Sequence, residues 1–361
     1  MGLGASRSEI SVLALSGSGS DPRTELKHLL DGCRDIHVEV QWIPDAGSQV
    51  RGVGMRLLHA TNSVSSPLVM QLADDDAVIP SGLIHAVRYL QLHPELPAVV
   101  CPYISWSRKD SPQWRVEGTI RGLRFLESQS SRSRVFGGGL GALSAHSLWY
   151  QPQRTEIWKT IIVASLEVLS ANRCACEAAV SQVLPLAGKL AVMRHPLYIR
   201  NRGNQPSGYT GDSDIEHFVH WIRRDSDSLV QSWSKRLEKA LNLSASQHLS
   251  PVSAALIREA LLDWKAHKYG YTSHKQLVTQ AIRNPQLMKL AVSRRLAYLV
   301  RHVPYVARSA QWLKDSFSSG HDTRLHDWVD DHLLERLLAE NSLLADSAEI
   351  RRSAAHLTTH D

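Results

Sequence analysis

The sequence predicts an α/β fold, with a Rossmann-like, mostly parallel sheet over residues 1–212 and a helical C-terminal region over 213–361. Three observations lead there. Short apolar runs alternate with segments of helical period through the first two hundred residues, which is the βαβ signal. The first three of these runs stop at loops rich in Ser, Gly or Asp. From about Ile215 onward only helical periodicity remains.

Ile10 to Leu15 is a short apolar run ending at Ser16-Gly17-Ser18-Gly19-Ser20 and reads as a buried strand. Arg23 to Cys33 follows as a helix with Leu26, Leu29, Leu30 and Cys33 on one stripe. His37 to Trp42 alternates and breaks at Pro44-Asp45-Ala46-Gly47-Ser48, and Val50, Val53, Leu57 and Leu58 then recur at helical spacing. Pro67 to Leu72 is the third strand and runs into Asp74-Asp75-Asp76. A helix begins after Pro80, with Ser81 as its expected cap, and Val99 to Ile104 is a fourth strand. Val219 to Leu241, Val252 to Lys268 and Leu325 to Leu344 read as helices, with no repeat among them.

Sheets of this kind take ligands at the carboxyl ends of their strands, so the loops at 16–21, 45–48 and 74–76 are expected on one rim. Consecutive aspartates repel one another, and a divalent cation is their natural compensator. Hard oxygen ligands suit Mg²⁺ or Mn²⁺. The other reading of Asp74, Asp75 and Asp76 leaves them in solvent ahead of the helix near Ser81.

The net charge of +6 favours anionic partners. Residues 1–210 carry 21 basic and 17 acidic side chains, leaving 20 and 18 of the 41 and 35 for the remainder, so the excess is spread evenly and nucleic-acid binding is not expected. Four cysteines, Cys33, Cys101, Cys174 and Cys176, form neither a disulfide framework nor a zinc set, which fits a reducing compartment. With no signal-peptide core or spanning run, a cytoplasmic protein is expected. Arg294 to Lys314 mixes five basic residues with aromatic and aliphatic ones, and is open to a peripheral membrane contact, a homodimer interface or ordinary packing. The Arg121 to Arg134 stretch reads as a mobile lid or a solvated loop.

Several motifs occur in a familiar order. Asp45-Ala46-Gly47-Ser48 is similar to an Asp-x-Gly-Ser that contacts a nucleotide base, and Gly52-Val53-Gly54-Met55-Arg56 is similar to a glycine and Ala-Arg-Asn segment. Leu72 to Pro80 resembles a DxD-type metal site, and Gly137 to Ser144 a glycine-containing acceptor-side segment. Cys176-Glu177 stands where an acidic pair is expected, 177 − 76 = 101 positions after Asp76. Together, Ile10 to about Arg202 resembles a GT-A glycosyltransferase of the large family-2 type. The pattern departs at Ala73 and Cys176, where acids are usual, at the first strand, which lacks a Tyr-Asn-Arg ending, and at Tyr198 to Arg202, which lacks a histidine. Arg200 and Arg202 face diphosphate or solvent.

The resemblance implies the fold of a nucleotide-diphospho-sugar transferase and inverting transfer from a nucleotide sugar, UDP-sugar first, to a glycan, lipid-linked or small-molecule hydroxyl. It implies Mn²⁺ or Mg²⁺ on Asp76 and Asp74, donor contacts from Ser16, Asp45, Arg56, Asp74 and Asp75, and Glu177 as catalytic base. The alternative is a GT-A-like binding or assembly subunit without turnover.

Overall fold

The computed structural model describes residues 9–15, 26, 32–43, 52–73, 76–107, 112–117, 123–136, 148–166, 168, 174–201, 226–243, 251–269, 329–341 and 343–355. Its first three strands are β1 (Ile10–Leu15), β2 (Val38–Ile43) and β3 (Leu68–Ala73), with β1 central and parallel to both neighbours. Between β2 and β3 lies α1 (Gly52–Ser63). Ile10, Val12 and Ala14 of β1 join Leu68, Met70 and Leu72 of β3 in one core, while Leu13 and Val69 enter the core on the opposite face. Both faces of β1 and β3 are covered, which is why these two strands read as near-continuous apolar runs.

After β3 come β4 (Ala77–Val78), α2 (Pro80–Leu92), β5 (Val99–Val100), β6 (Tyr103–Ser107) and β7 (Gln113–Glu117). Then follow α3 (Ser131–Phe136), β8 (Gln153–Arg154), α4 (Thr155–Ala164), α5 (Cys174–Ala187), β9 (Ala191–Val192) and β10 (Tyr198–Asn201). The C-terminal elements are α6 (Ser226–Leu243), α7 (Ala254–Tyr269), β11 (Val329–Asp330), α8 (Leu334–Glu340) and α9 (Ser347–Ala355).

One sheet runs β2-β1-β3-β8, and a second runs β11-β7-β6-β10-β4. A bridge from Ala98 to Gln153, with Arg154 N–H donating to Pro97 O at 2.8 Å, carries the first sheet on to the parallel pair β5-β9. The expected mostly parallel sheet is thus mixed. In the second sheet β6-β7, β7-β11 and β10-β4 are antiparallel, the first because the link between β6 and β7 is too short for a crossover.

Two further expectations are corrected. Val99 to Ile104 is not one strand: the chain breaks at Cys101-Pro102, where the Pro102 carbonyl accepts from Leu197 N–H at 3.0 Å, so β5 and β6 join different sheets. Within the helix expected from Leu325 to Leu344, the described residues are helical over Leu334–Glu340 and preceded by β11, whose Val329 pairs with Trp114. A two-residue strand is specified by its partner and not by its own periodicity.

Helices α1, α4, α5, α6 and α7 cover one face of the first sheet in a core that includes Trp158 and Trp233, so residues on both sides of position 212 share it. On the other face α2 contributes Leu83, Ala86, Val87 and Leu90. A third core packs α8 and α9 on the second sheet, with Leu334, Leu338 and Ile350 against Ile104, Trp106, Trp114 and Ile199. No helix among the described residues is long and apolar enough to cross a membrane.

Arg134 departs from the lid or solvated loop expected of the Arg121 to Arg134 stretch. Arg134 is 1% exposed, and its guanidinium donates to Pro185 O, Ser128 O, Gln129 O, Leu186 O and Ser131 Oγ. Burial lowers its pKa. Two residues earlier, Arg132 forms a two-pronged pair with Glu259 of α7 at 2.7 and 2.6 Å.

Candidate functional site

The candidate site begins with register. Leu15, the last residue of β1, pairs with Ile43, the last of β2, and with Ala73, the last of β3. Three parallel strands therefore stop level, and the loops that follow them leave from one edge. Ser16 follows Leu15, Asp45 lies two residues beyond Ile43, and Asp74 follows Ala73. Ser16, Asp45, Asp74 and Asp75 themselves lie outside the described residues, as does the glycine-rich stretch 137–144.

Arg56, on α1, is buried beneath this edge, and its Nη1 donates to the Ile43 carbonyl at 3.3 Å. The contact fixes the end of β2 from which the Asp45 loop departs. A charged donor on a strand-end carbonyl is stronger than a neutral one.

Of the three aspartates, Asp76 lies among the described residues. It is 7% exposed; its N–H donates to Ala73 O at 3.2 Å, and its Oδ1 accepts from Asn201 N–H at 3.1 Å. The third aspartate therefore faces inward, to β10, and joins the two sheets.

Around it sits a cluster of phenols. Tyr198 stacks on Tyr103 with ring centres 4.9 Å apart and lies 5.5 Å from Tyr150. Burial pushes the Tyr198 phenol well above its ordinary value, with Tyr103, Asp76 and Tyr150 adding to the effect and Arg200 opposing it. Burial alone would lower the pKa of Arg200. The phenols of Tyr198 and Tyr150, the Asp76 carboxylate and Tyr103 outweigh it and hold the guanidinium cationic, above its usual range. The signal in the sequence was Tyr198-Ile199-Arg200-Asn201, whose alternation puts Tyr198 and Arg200 on one face of a strand. Asn201 gave no signal, because its contribution is a backbone N–H.

Two contacts hold the helix that follows Asp76. Ile79 N–H donates to Leu197 O at 2.9 Å, and Gly82 sits so close to the Pro196 carbonyl that a Cβ would collide with it. Ser81 does not cap α2; its N–H and hydroxyl donate instead to Glu349 of α9. Nothing local announces that partner.

Glu177 is the fourth residue of α5, whose later residues Val180, Val183 and Leu184 are buried in the first core. The Glu177 side chain lies outside the described residues, and with it its place relative to Asp76. Among the described residues no group of three His, Cys, Asp or Glu side chains is arranged to hold a metal.

No family model matches the chain. No curated protein matches it either. Solved structures similar to it include S. aureus TarS 1–349, at 12% identity and a TM-score of 0.36, over 66% of this chain and 73% of that one. TarS 1–349 in complex with UDP-GlcNAc gives 13% identity and 0.37, over 66% and 74%. The longer S. aureus TarS gives 13% and 0.37, over 66% and 44%. At these scores the likeness fixes neither topology nor the role of any residue.

Proposed function

We propose that this chain is a metal-dependent, inverting GT-A-type glycosyltransferase that moves a sugar from a nucleotide-diphosphate donor, UDP-sugar first, to an acceptor hydroxyl. The observation that supports it most is the level ending of β1, β2 and β3, with three aspartates leaving β3 and the third buried against β10. Open α/β sheets take ligands at this edge.

In this reading residues 1–212 form the catalytic unit, and Asp74 and Asp76 would hold Mn²⁺ or Mg²⁺. When bound, that ion supplies positive charge opposite the diphosphate. Ser16, Asp45 and Asp75 contact the nucleotide, while Arg56 holds the base-side loop through Ile43. Arg200, kept cationic beside Asp76, offsets charge on the departing diphosphate. Glu177 takes the proton of the acceptor hydroxyl as that oxygen bonds to the anomeric carbon. The carbon–oxygen bond to the diphosphate breaks in the same displacement, its electron pair leaving with the diphosphate, and the anomeric centre inverts.

A second reading, a GT-A-like subunit without turnover, is favoured by Ala73 and Cys176 standing where the family carries acids. Melting temperatures with UDP, dTDP, GDP and CMP, with and without Mn²⁺, test both, since a ligand at 100 times its Kd adds about 2.7 kcal/mol. A shift accompanied by release of free nucleotide from a sugar nucleotide supports the enzyme. A shift without release supports the subunit. No shift with any nucleotide overturns both.

A further inference from the structure

The geometry points to an acid-operated latch between α2 and the lead-in to β10, closed while His85 and His195 are neutral and opened when the pair takes up a proton. The inference does not depend on the glycosyltransferase reading. His85 of α2 and His195, three residues ahead of β10, lie face to face with ring centres 3.8 Å apart and planes 11° from parallel.

The hydrogen bonds decide which forms the stack tolerates. His85 Nδ1 lies 2.7 Å from the Ser81 carbonyl, which can only accept, so that nitrogen carries a hydrogen. His195 Nδ1 is buried and has no hydrogen-bond partner. A neutral ring can leave this nitrogen bare. An imidazolium carries a hydrogen on both nitrogens, and one of them would then be a buried donor without an acceptor. The surroundings add to the cost: burial lowers the His195 pKa, and the charges of His85 and Arg194 lower it further. No carboxylate among the described residues acts on the ring to offset them. The remaining charged side chains of α2 and α9 have partners of their own: Glu349 binds Ser81, Arg88 pairs with Asp35, Arg351 with Asp331 and Arg352 with Asp346.

What the latch holds lies beside the candidate site. Directly after His195, the Pro196 carbonyl lies against Gly82, and Leu197 O accepts from Ile79 N–H at 2.9 Å. β10 then pairs with β4 and ends at Asn201, whose N–H is donated to Asp76. Directly before it, Arg194 O accepts from Leu344 N–H at 3.0 Å, between α8 and α9. A charged ring that swings out therefore pulls on the segment joining α2, β10 and the C-terminal helices. The direction follows from linkage: the latch is closed above the ordinary 6.5 and opens as pH falls through 6.5 towards the depressed value of the closed form.

Hydrogen–deuterium exchange of the full chain at about pH 7.5 and about pH 5.5, corrected for intrinsic rates, tests the proposal. The expected result is a loss of protection at the lower pH in residues 194–201 and 79–85, with β1 unchanged. His195→Phe keeps a stacked ring that cannot take up a proton, and should hold its protection at both pH values. His85→Phe removes the facing charge, should reduce the loss, and serves if the first variant is unstable. Equal protection at both pH values in the parent chain overturns the proposal. So does a loss that extends evenly to β1, which is global acid unfolding. A loss that persists undiminished in either folded variant also overturns it, by placing the titration at another group such as Glu349 or the His93 and Glu95 pair.

Discussion

The Glu349 carboxylate caps α2 from 268 positions away in the chain: Oε1 accepts from Ser81 N–H at 2.9 Å and Oε2 from Ser81 Oγ at 2.6 Å. Ile79, the residue in the capping position, makes no side-chain cap. At the other end of α2, Arg154 donates to Leu90 O, His93 O and Leu96 O. An anion at the N-terminus and a cation at the C-terminus both oppose the helix dipole. The helix that follows Asp76 is therefore clamped by residues from two other parts of the chain.

Glu349→Ala should destabilise the fold by about 1 kcal/mol, the usual cost of a lost cap. Glu349→Gln, which keeps one acceptor oxygen for the Ser81 N–H without the charge, should lose less. The urea midpoint should move with an unchanged m-value; an unmoved midpoint in the alanine variant would show that the contact contributes nothing.

Arg134→Met removes the donor to four buried or half-buried carbonyls and should cost about 3 kcal/mol. Lysine should not rescue it, because one ammonium cannot reach carbonyls spread around a planar fork. Full stability of Arg134→Lys in urea unfolding would count against this role.

Gly82→Ala places a methyl group on the Pro196 carbonyl. Either the α2 helix or the lead-in to β10 must move, at about 2 kcal/mol. Since β10 supplies the Asn201 N–H to Asp76, the variant should also lose Mn²⁺-dependent stabilisation by nucleotide, measured as the change in melting temperature on adding both.

Asp76→Asn keeps an oxygen for the Asn201 N–H and removes the charge. The variant should fold, and the Mn²⁺-dependent part of the nucleotide-induced melting shift should shrink at least tenfold in apparent affinity, which is about 1.4 kcal/mol. An undiminished metal effect would move the ligand to Asp74 or Asp75.

His195 stacks on His85 with ring centres 3.8 Å apart. Burial, then His85 and Arg194, lowers its pKa below the ordinary 6.5. Below that value the unfolded chain binds the proton more readily, so the stability is present above it and declines as pH falls through 6.5 towards the depressed folded value. His195→Phe keeps a stacked ring and removes the titration. Its urea midpoint should fall less steeply over that acid range than that of the parent chain, and equal slopes would place the pH dependence elsewhere.

The βαβ start of the fold was legible because both periods were strong there: β1, β2 and β3 lie within a residue or so of their expected bounds, and α1 covers the helical segment with Leu57 and Leu58. Their level ends followed from the fold class. What was not legible is specified by partners far away in the chain. Ser81 has the composition of a cap and instead receives one. Arg134 has the composition of a solvated arginine and sits under α5, and β11 exists because Trp114 and Gln113 present an open strand edge. At the candidate site the acidic triplet could be picked out by eye, yet the inward turn of Asp76 depends on a backbone N–H of Asn201, which composition cannot advertise.

Because β11 closes the second sheet, Asp331 accepts from Trp114 Nε1 at 2.9 Å and Glu349 reaches Ser81, the order of synthesis matters. A nascent chain displays its acidic loop long before the residues that steady it have left the ribosome. Pairings over such separations form late in folding. A polypeptide halted ahead of residue 329 would carry the acidic triplet in its sequence without that support, so the steadying of this edge waits for residues 329–355.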